Sequence, residues 1–287
     1  MTLAESVARG RERLLAGGVP ADEAPGDAEV LARHVLGWDL AQYVSGLRET
    51  PVPGFDDRYD ALIARRLTRE PVSQIVGHRE FWGLDFEVTR DVLTPRPETE
   101  FAVQAVLDVC RAESASNYNG VIVDIGTGSG CIAIALATEL PEAMFIASDI
   151  SRAALTVARR NAVRHGVVHR IAFLHTGEVP PENDVDIIVS NPPYIPLTQE
   201  TSLAPEVRLF EPHAALFGGE SGLAFYQVLL SERVYWDVNR EAGRVIVEVG
   251  ADQAAAVAAL ADPRWWRLER TYRDLQGIER TLVFARR

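Results

Sequence analysis

The sequence predicts an α/β fold. It consists of a mostly parallel seven-stranded sheet with an antiparallel C-terminal edge, plus a small N-terminal helical bundle. Three observations carry this prediction. From residue 119 onward, apolar strand-like runs alternate with helical stretches, which requires crossover connections and hence a parallel sheet. The last two strand-like runs, 265–272 and 279–285, are close enough in sequence to pair as a hairpin and give an antiparallel edge. Residues 1–75 hold apolar side chains at helical spacing only.

In the first 75 residues, Leu3, Val7, Leu14 and Leu15 keep one helical face, and Tyr59, Leu62, Ile63 and Leu67 keep another. Between them Asp27 is placed to cap a helix carrying Val30, Leu31 and Val35. Gly17-Gly18-Val-Pro20 and Pro51-Val-Pro53-Gly54 are the intervening loops. Residues 76–98 form a connector in which 80–88 alternates as a short β-hairpin. Pro95-Arg96-Pro97 is then stiff and extended, and Glu98 and Glu100 favour the first turn of a helix over 99–112.

The third segment, 99–287, carries the alternation. Val121–Ile125 is a buried strand, 126–130 a glycine loop, Cys131–Leu140 a helix and Ala143–Asp149 the next strand. A helix over 152–165, a weak strand at 170–174 and the strand Val185–Val189 follow. The pattern continues with one helix from Leu223 to about Asn239, the strand Gly243–Gly250 and a helix over 251–261.

The chain has 287 residues, 47% of them hydrophobic, an ordinary globular composition. Acidic residues number 41 and basic ones 29, a formal charge of −12, which makes the chain a poor non-specific binder of phosphate backbones. Cys110 and Cys131 make no disulfide framework. The N-terminus lacks the apolar core of a signal peptide, and no apolar run approaches the roughly 20 residues needed to span a bilayer. A cytoplasmic protein without membrane attachment is expected.

Two stretches point to chemistry. Gly126-Thr127-Gly128-Ser129-Gly130 lies between a strand and a helix. Glycines there let a ligand approach the backbone, and the helix start offers free N–H groups. Asp149 ends the next strand about 20 residues on, the place of a carboxylate that accepts ribose hydroxyls. Asp124, just before the loop, either binds a cofactor amine or anchors the loop. Ser190-Asn191-Pro192-Pro193-Tyr194 ends another buried strand. Its prolines hold the backbone extended. The Asn191 side-chain oxygen and the Pro192 carbonyl are then two fixed acceptors, suited to a planar –NH2 group. Cys131 reads as a small buried hydrophobe. His165 and His169 lack the partners of a metal motif, so no metal is expected.

Asp124-Ile-Gly-Thr-Gly-Ser-Gly130, Asp149 and Asn191-Pro-Pro-Tyr194, in this order, resemble the Rossmann-like class I S-adenosylmethionine-dependent methyltransferases. Gly77-His-Arg-Glu-Phe-Trp-Gly83, Thr94-Pro-Arg-Pro-Glu-Thr-Glu100 and Glu211-Pro-His-Ala-Ala-Leu-Phe-Gly-Gly219 are similar to the HemK/PrmC family. That resemblance implies methyl transfer from S-adenosylmethionine to the side-chain nitrogen (N5) of the glutamine in the Gly-Gly-Gln motif of class I peptide chain release factors. It also implies that residues 1–75 dock that protein.

On this reading Asn191, Pro192 and Tyr194 are catalytic. Asp124, Gly126, Thr127, Gly128, Ser129, Gly130, Asp149, Glu178, Val179 and Asn191 hold the cofactor. Asn191, Pro192, Pro193, Tyr194, Phe81, Pro95 and Arg96 meet the substrate. The competing readings are a DNA or rRNA base amino-methyltransferase, against which the net charge argues, and a non-catalytic cofactor-binding protein.

Overall fold

In a computed structural model of the chain, residues 1–114, 117–177, 185–238 and 243–287 are described. They divide into two units. The first is Met1–Gly77 together with Ala204–Phe210, and the second is His78–Leu203 with Glu211–Arg287.

The first unit holds α1 (Leu3–Ala16), α2 (Ala24–Leu36), α3 (Leu40–Gly46), α4 (Phe55–Leu67) and α5 (Val72–Val76). Leu3, Leu14, Leu31, Tyr59 and Ile63 are buried together, so the predicted helical stripes form its core. Thr2 and Glu5 close a capping box on α1, as Asp39 and Gln42 do on α3. Asp27 does not cap α2, which begins at Ala24 behind Glu23. Its carboxylate instead accepts from Arg66 at 2.6 Å.

Arg66, on α4, is only 2% exposed and reaches Glu23 and Glu206 as well, at 2.9 and 2.8 Å. Arg69 meets Glu206 at 2.6 Å. Burial opposes charge on all three carboxylates and raises Glu23 and Asp27. Glu206 is held below its ordinary range because the two arginines outweigh its burial.

The second unit opens with the hairpin β1 (His78–Phe81) and β2 (Leu84–Glu87), turning at Trp82 and Gly83. A single turn over Pro97–Thr99 leads into α6 (Glu100–Ser114). Then β3 (Val121–Ile125), α7 (Cys131–Glu139), β4 (Met144–Asp149), α8 (Arg152–Arg164), β5 (Ile171–His175) and β6 (Ile187–Ser190) alternate.

Three short helices follow: α9 (Pro205–Phe210), which belongs to the first unit, α10 (His213–Leu216) and α11 (Ala224–Leu229). The remainder is α12 (Glu232–Asp237), β7 (Arg244–Glu248), α13 (Ala254–Leu260), β8 (Trp266–Arg273) and β9 (Glu279–Arg286). The single helix expected from Leu223 is two, because Leu230 and an extended Ser231 interrupt it, and its expected end at Asn239 lies outside the described residues.

Among the described residues seven strands form one sheet, in the order β5-β4-β3-β6-β7-β9-β8. Pairing is parallel through β7 and antiparallel for β9 and β8. One face buries Val103, Val106, Ile134 and Leu136, and the other buries Tyr226, Leu229, Val234 and Trp266. With both faces covered, the central strands read as unbroken apolar runs. The chain winds outward from β3 through β4 to β5, then restarts with β6 on the other side of β3. A crevice therefore opens between the carboxyl ends of β3 and β6, where such sheets place their ligands. No helix among the described residues is long and apolar enough to cross a membrane.

Candidate active site

The glycine loop, Asp149 and Asn191 all arrive at this crevice because each directly follows or ends a strand beside the switch point. Gly126 and Thr127 turn back over β4, both N–H groups donating to the Ser148 carbonyl at 2.9 Å. Gly126, Gly128 and Gly130 have φ of 72°, 55° and 84°, a region costly for residues bearing a Cβ. Asp149 braces the loop from the neighbouring strand. One of its oxygens accepts from the Gly128 N–H at 3.0 Å and the other from the Ser151 N–H at 2.8 Å. A carboxylate offers about four acceptor positions, so lone pairs remain for a ligand.

A cleft lies here, lined by Gly126, Gly128, Asp149 and Asn191. Pro193 also lines it, as do Leu93, Ile150, Ala214, Ala215 and Phe225. These last five were not singled out from the sequence. Ala214 and Ala215 belong to the Glu211–Gly219 stretch, which carried the resemblance without a role. Ile150 follows Asp149 and is an exposed apolar residue at a strand end.

Several sequence candidates sit just behind the cleft. The Asp124 carboxylate is buried and anchors the loop: its Oδ2 accepts from the Thr127 hydroxyl at 2.6 Å and from the Ala133 N–H at 3.3 Å. Burial pushes its carboxyl up to about 7 despite these donors. Thr127 thus turns inward. Ser129 is buried, with its carbonyl accepting from Asn161 at 2.9 Å, and Gly130 starts α7 against Ala158. Burial also pushes the Cys131 thiol up to about 12, which removes it as a nucleophile.

Around Asn191 the loop is sewn down on both sides. Ser190 donates to the Ile125 carbonyl at 2.6 Å, tying β6 to β3. Asn191 Nδ2 donates to the Thr99 hydroxyl at 2.9 Å. Gln253 donates to the Tyr194 carbonyl at 2.9 Å. The Ile195 N–H reaches the Leu216 carbonyl at 2.9 Å. Pro192 is buried, and Tyr194 is half-buried with its ring against Gly250.

Arg96 is committed to Glu211, whose two oxygens it meets at 2.7 and 2.6 Å, so the Pro95–Pro97 segment is stapled to the Glu211 stretch. Phe81 requires a correction. It is 1% exposed, packed edge-on against Phe86 in the core, and cannot flank a substrate in the cleft. Its apolar size reads equally well as core or as pocket wall. Glu178 and Val179 lie outside the described residues.

Comparison with known proteins gives this geometry a family. The profile of the PrmC N-terminal domain matches residues 5–77, and that of the Methyltransferase small domain matches 102–214. A release factor glutamine methyltransferase of Cereibacter sphaeroides is 42% identical over 288 residues, covering 100% of this chain and 99% of that protein. One from Agrobacterium fabrum is 38% identical, covering 99% and 98%. Among solved structures, the hMettl16 catalytic domain in complex with the MAT2A 3′UTR hairpin 6 superposes with a TM-score of 0.57. At 16% identity, covering 78% of this chain and 81% of that one, it shows the shared fold alone. A likeness at this identity over the whole length leaves one conclusion: the chain belongs to the release factor glutamine methyltransferase family.

Proposed function

We propose that this chain transfers a methyl group from S-adenosylmethionine to the N5 amide nitrogen of the Gly-Gly-Gln glutamine of class I release factors, in the cytoplasm. The observation that carries this reading is the Asn191 side chain, held by Thr99 at the edge of the cleft that Gly126, Gly128 and Asp149 also line. The residues fit the cofactor. Asp149 keeps free lone pairs for ribose hydroxyls, the glycine loop leaves its backbone open to approach, and Ile150 offers an apolar face. When bound, the cofactor supplies an electrophilic methyl group on a sulfonium.

An amide nitrogen is a weak nucleophile because its lone pair is delocalised into the carbonyl. Asn191 Oδ1 and the Pro192 carbonyl accept both amide hydrogens and aim the nitrogen at the methyl group. Such alignment contributes several kcal/mol, up to roughly 7–11 in model reactions. The same acceptors favour the positive charge that develops on nitrogen, and that charge is discharged when one of the two held amide hydrogens leaves as a proton to solvent. Tyr194 walls the amide on its side of the loop. Residues 1–75 dock the protein substrate, in line with the helical unit's match to the PrmC N-terminal domain.

The test offers labelled S-adenosylmethionine with purified release factor, DNA and rRNA in parallel. Label on the Gly-Gly-Gln glutamine is expected, with a fall of roughly 10²-fold or more for Asn191→Ala and an intermediate rate for Asn191→Asp. Label on nucleic acid alone, or an Asn191→Ala variant as fast as the parent, overturns the reading.

A further inference from the structure

The second unit carries a groove of about 430 Å³ that shares no lining residue with the cofactor cleft among the described residues. The turn between β1 and β2 gives it Trp82, the segment leading into α6 gives Glu98, Glu100 and Phe101, and the turn between β8 and β9 gives Asp274 and Leu275. Both turns are fixed. Trp82 has a φ of 55°, a left-handed conformation rare for so bulky a residue. Its N–H donates to Glu100 at 3.0 Å and its indole N–H to Glu139 at 3.0 Å. Asp274 accepts from the Gln276 and Ile278 N–H groups at 2.9 and 3.0 Å and from Arg280 at 2.8 Å. A turn tied in this way keeps Leu275, which is 100% exposed, standing out in the groove wall.

The groove is acidic. Arg280 pairs with Asp274, but among the described residues no cation pairs with Glu98 or Glu100. Their neighbours in the groove are the Trp82 indole and the Phe101 ring. Aromatic faces attract a cation, carboxylates pair with it, and apolar walls take up an aliphatic stem. Arginine meets all three demands, since its planar guanidinium stacks on rings and donates to carboxylates in a fork. The same acids repel a phosphate backbone. A purely apolar occupant would leave the carboxylates desolvated and unpaired.

Position narrows the partner further. Glu98 directly precedes Thr99, whose hydroxyl accepts from Asn191 Nδ2 at 2.9 Å. Successive Cα atoms lie about 3.8 Å apart, so the groove begins one residue from the anchor of the Asn191 loop. An extended chain advances about 3.3–3.6 Å per residue. A substrate whose glutamine sits at Asn191 therefore has its next few residues within reach of the groove. We propose that the groove walled by Trp82, Glu98, Phe101 and Leu275 docks an arginine-bearing segment of the protein substrate, a few residues from the glutamine that is methylated. The identity of that substrate rests on the function proposed above.

The experiment uses the full chain and two independent readouts. Leu275→Ser removes no buried contact and Glu98→Gln keeps the side chain's size, so both variants are expected to keep the parental Tm. In steady-state methylation of release factor, KM is expected to rise about five- to ten-fold in each, with kcat and cofactor Kd within about two-fold. The second readout is calorimetric titration with a Gly-Gly-Gln peptide carrying arginine on both sides of the motif, and with the same peptide carrying citrulline, an uncharged isostere, in those places. The parent is expected to bind the arginine peptide about five- to ten-fold more tightly, and Glu98→Gln to bind the two within about two-fold.

A parent that labels no release factor refutes the proposed function, while the calorimetry still decides the groove. Equal binding of the two peptides by the parent, or binding of neither, overturns the docking. So does an arginine preference that Glu98→Gln leaves intact, or a KM unchanged in both variants.

Discussion

Gly222→Ala should disable the Asn191 loop without substituting any residue in it. Gly222 has a φ of 74°, where an alanine costs about 1–2 kcal/mol. A Cβ added there would stand 2.2 Å from the Tyr194 carbonyl oxygen and 3.0 Å from Gln253 Nε2. The colliding group is backbone and cannot swing away. Restoring an ordinary contact of about 3.4 Å requires the two chains to part by about 1 Å. It also breaks the Gln253 to Tyr194 hydrogen bond, at about 1 kcal/mol.

The expected destabilisation is therefore about 2–3 kcal/mol, a fall in Tm of roughly 5–10 °C. The rate should drop by about 10²-fold, the penalty for a displacement of this size near reacting atoms. Cofactor affinity should change little. Gly277→Ala is the control, since its φ of 82° carries the same conformational cost but nothing among the described residues lies within 4 Å of the added atom. Thermal melts and single-turnover methylation compare the two variants. If Gly222→Ala and Gly277→Ala lose equal stability and keep equal rates, the collision with the loop plays no part and the reasoning fails.

Asp149→Ala should weaken S-adenosylmethionine binding roughly 10–150-fold, from about 1.5–3 kcal/mol of lost charged hydrogen bonding. Calorimetry giving an unchanged Kd refutes its role. Arg66→Ala leaves Glu23, Asp27 and Glu206 without their shared buried partner and should cost about 3–5 kcal/mol in urea denaturation; a loss below about 1 kcal/mol would show the network to be inert. Glu248 is raised by burial to about 7, so its contribution to stability is complete below its ordinary carboxylate range and is lost as pH rises through about 7. Melting of parent and Glu248→Gln across pH 5–8 should show the variant gaining on the parent as pH rises, and a constant difference contradicts that sign.

Much of the second unit is written in local pattern. Val121–Ile125, the glycine loop and Asp149 declare a strand, a turn and a second strand end, and the sheet delivers them to one crevice. Asn191 is legible because two prolines fix the backbone beside it. What escapes local reading depends on contacts distant in sequence. Thr99 reads only as a residue near a helix start, yet it meets Asn191 from 92 positions away. Phe81 is apolar and near a motif, and only the packed core shows that its ring faces inward. Phe225 enters the cleft from a helix whose periodicity explains its neighbours Tyr226 and Leu229 as core. The break at Ser231 is equally hidden, because serine interrupts or caps a helix according to what packs around it.

The Arg66 network also constrains the order in which the molecule can be made. Glu23 and Asp27 precede Arg66 in the chain, but Glu206 follows it by 140 positions. At about 5–20 residues per second, a ribosome delivers that carboxylate roughly 7–30 s after the arginine. Helices settle in microseconds, so α1 to α5 form long before α9 exists. During synthesis the first unit therefore waits, with α1 to α5 formed but short of α9 and its anion, until the strands β3 to β6 have been made. Its last ion pairs close only after the Asn191 loop has emerged, which times the finishing of the helical unit to the arrival of the catalytic one.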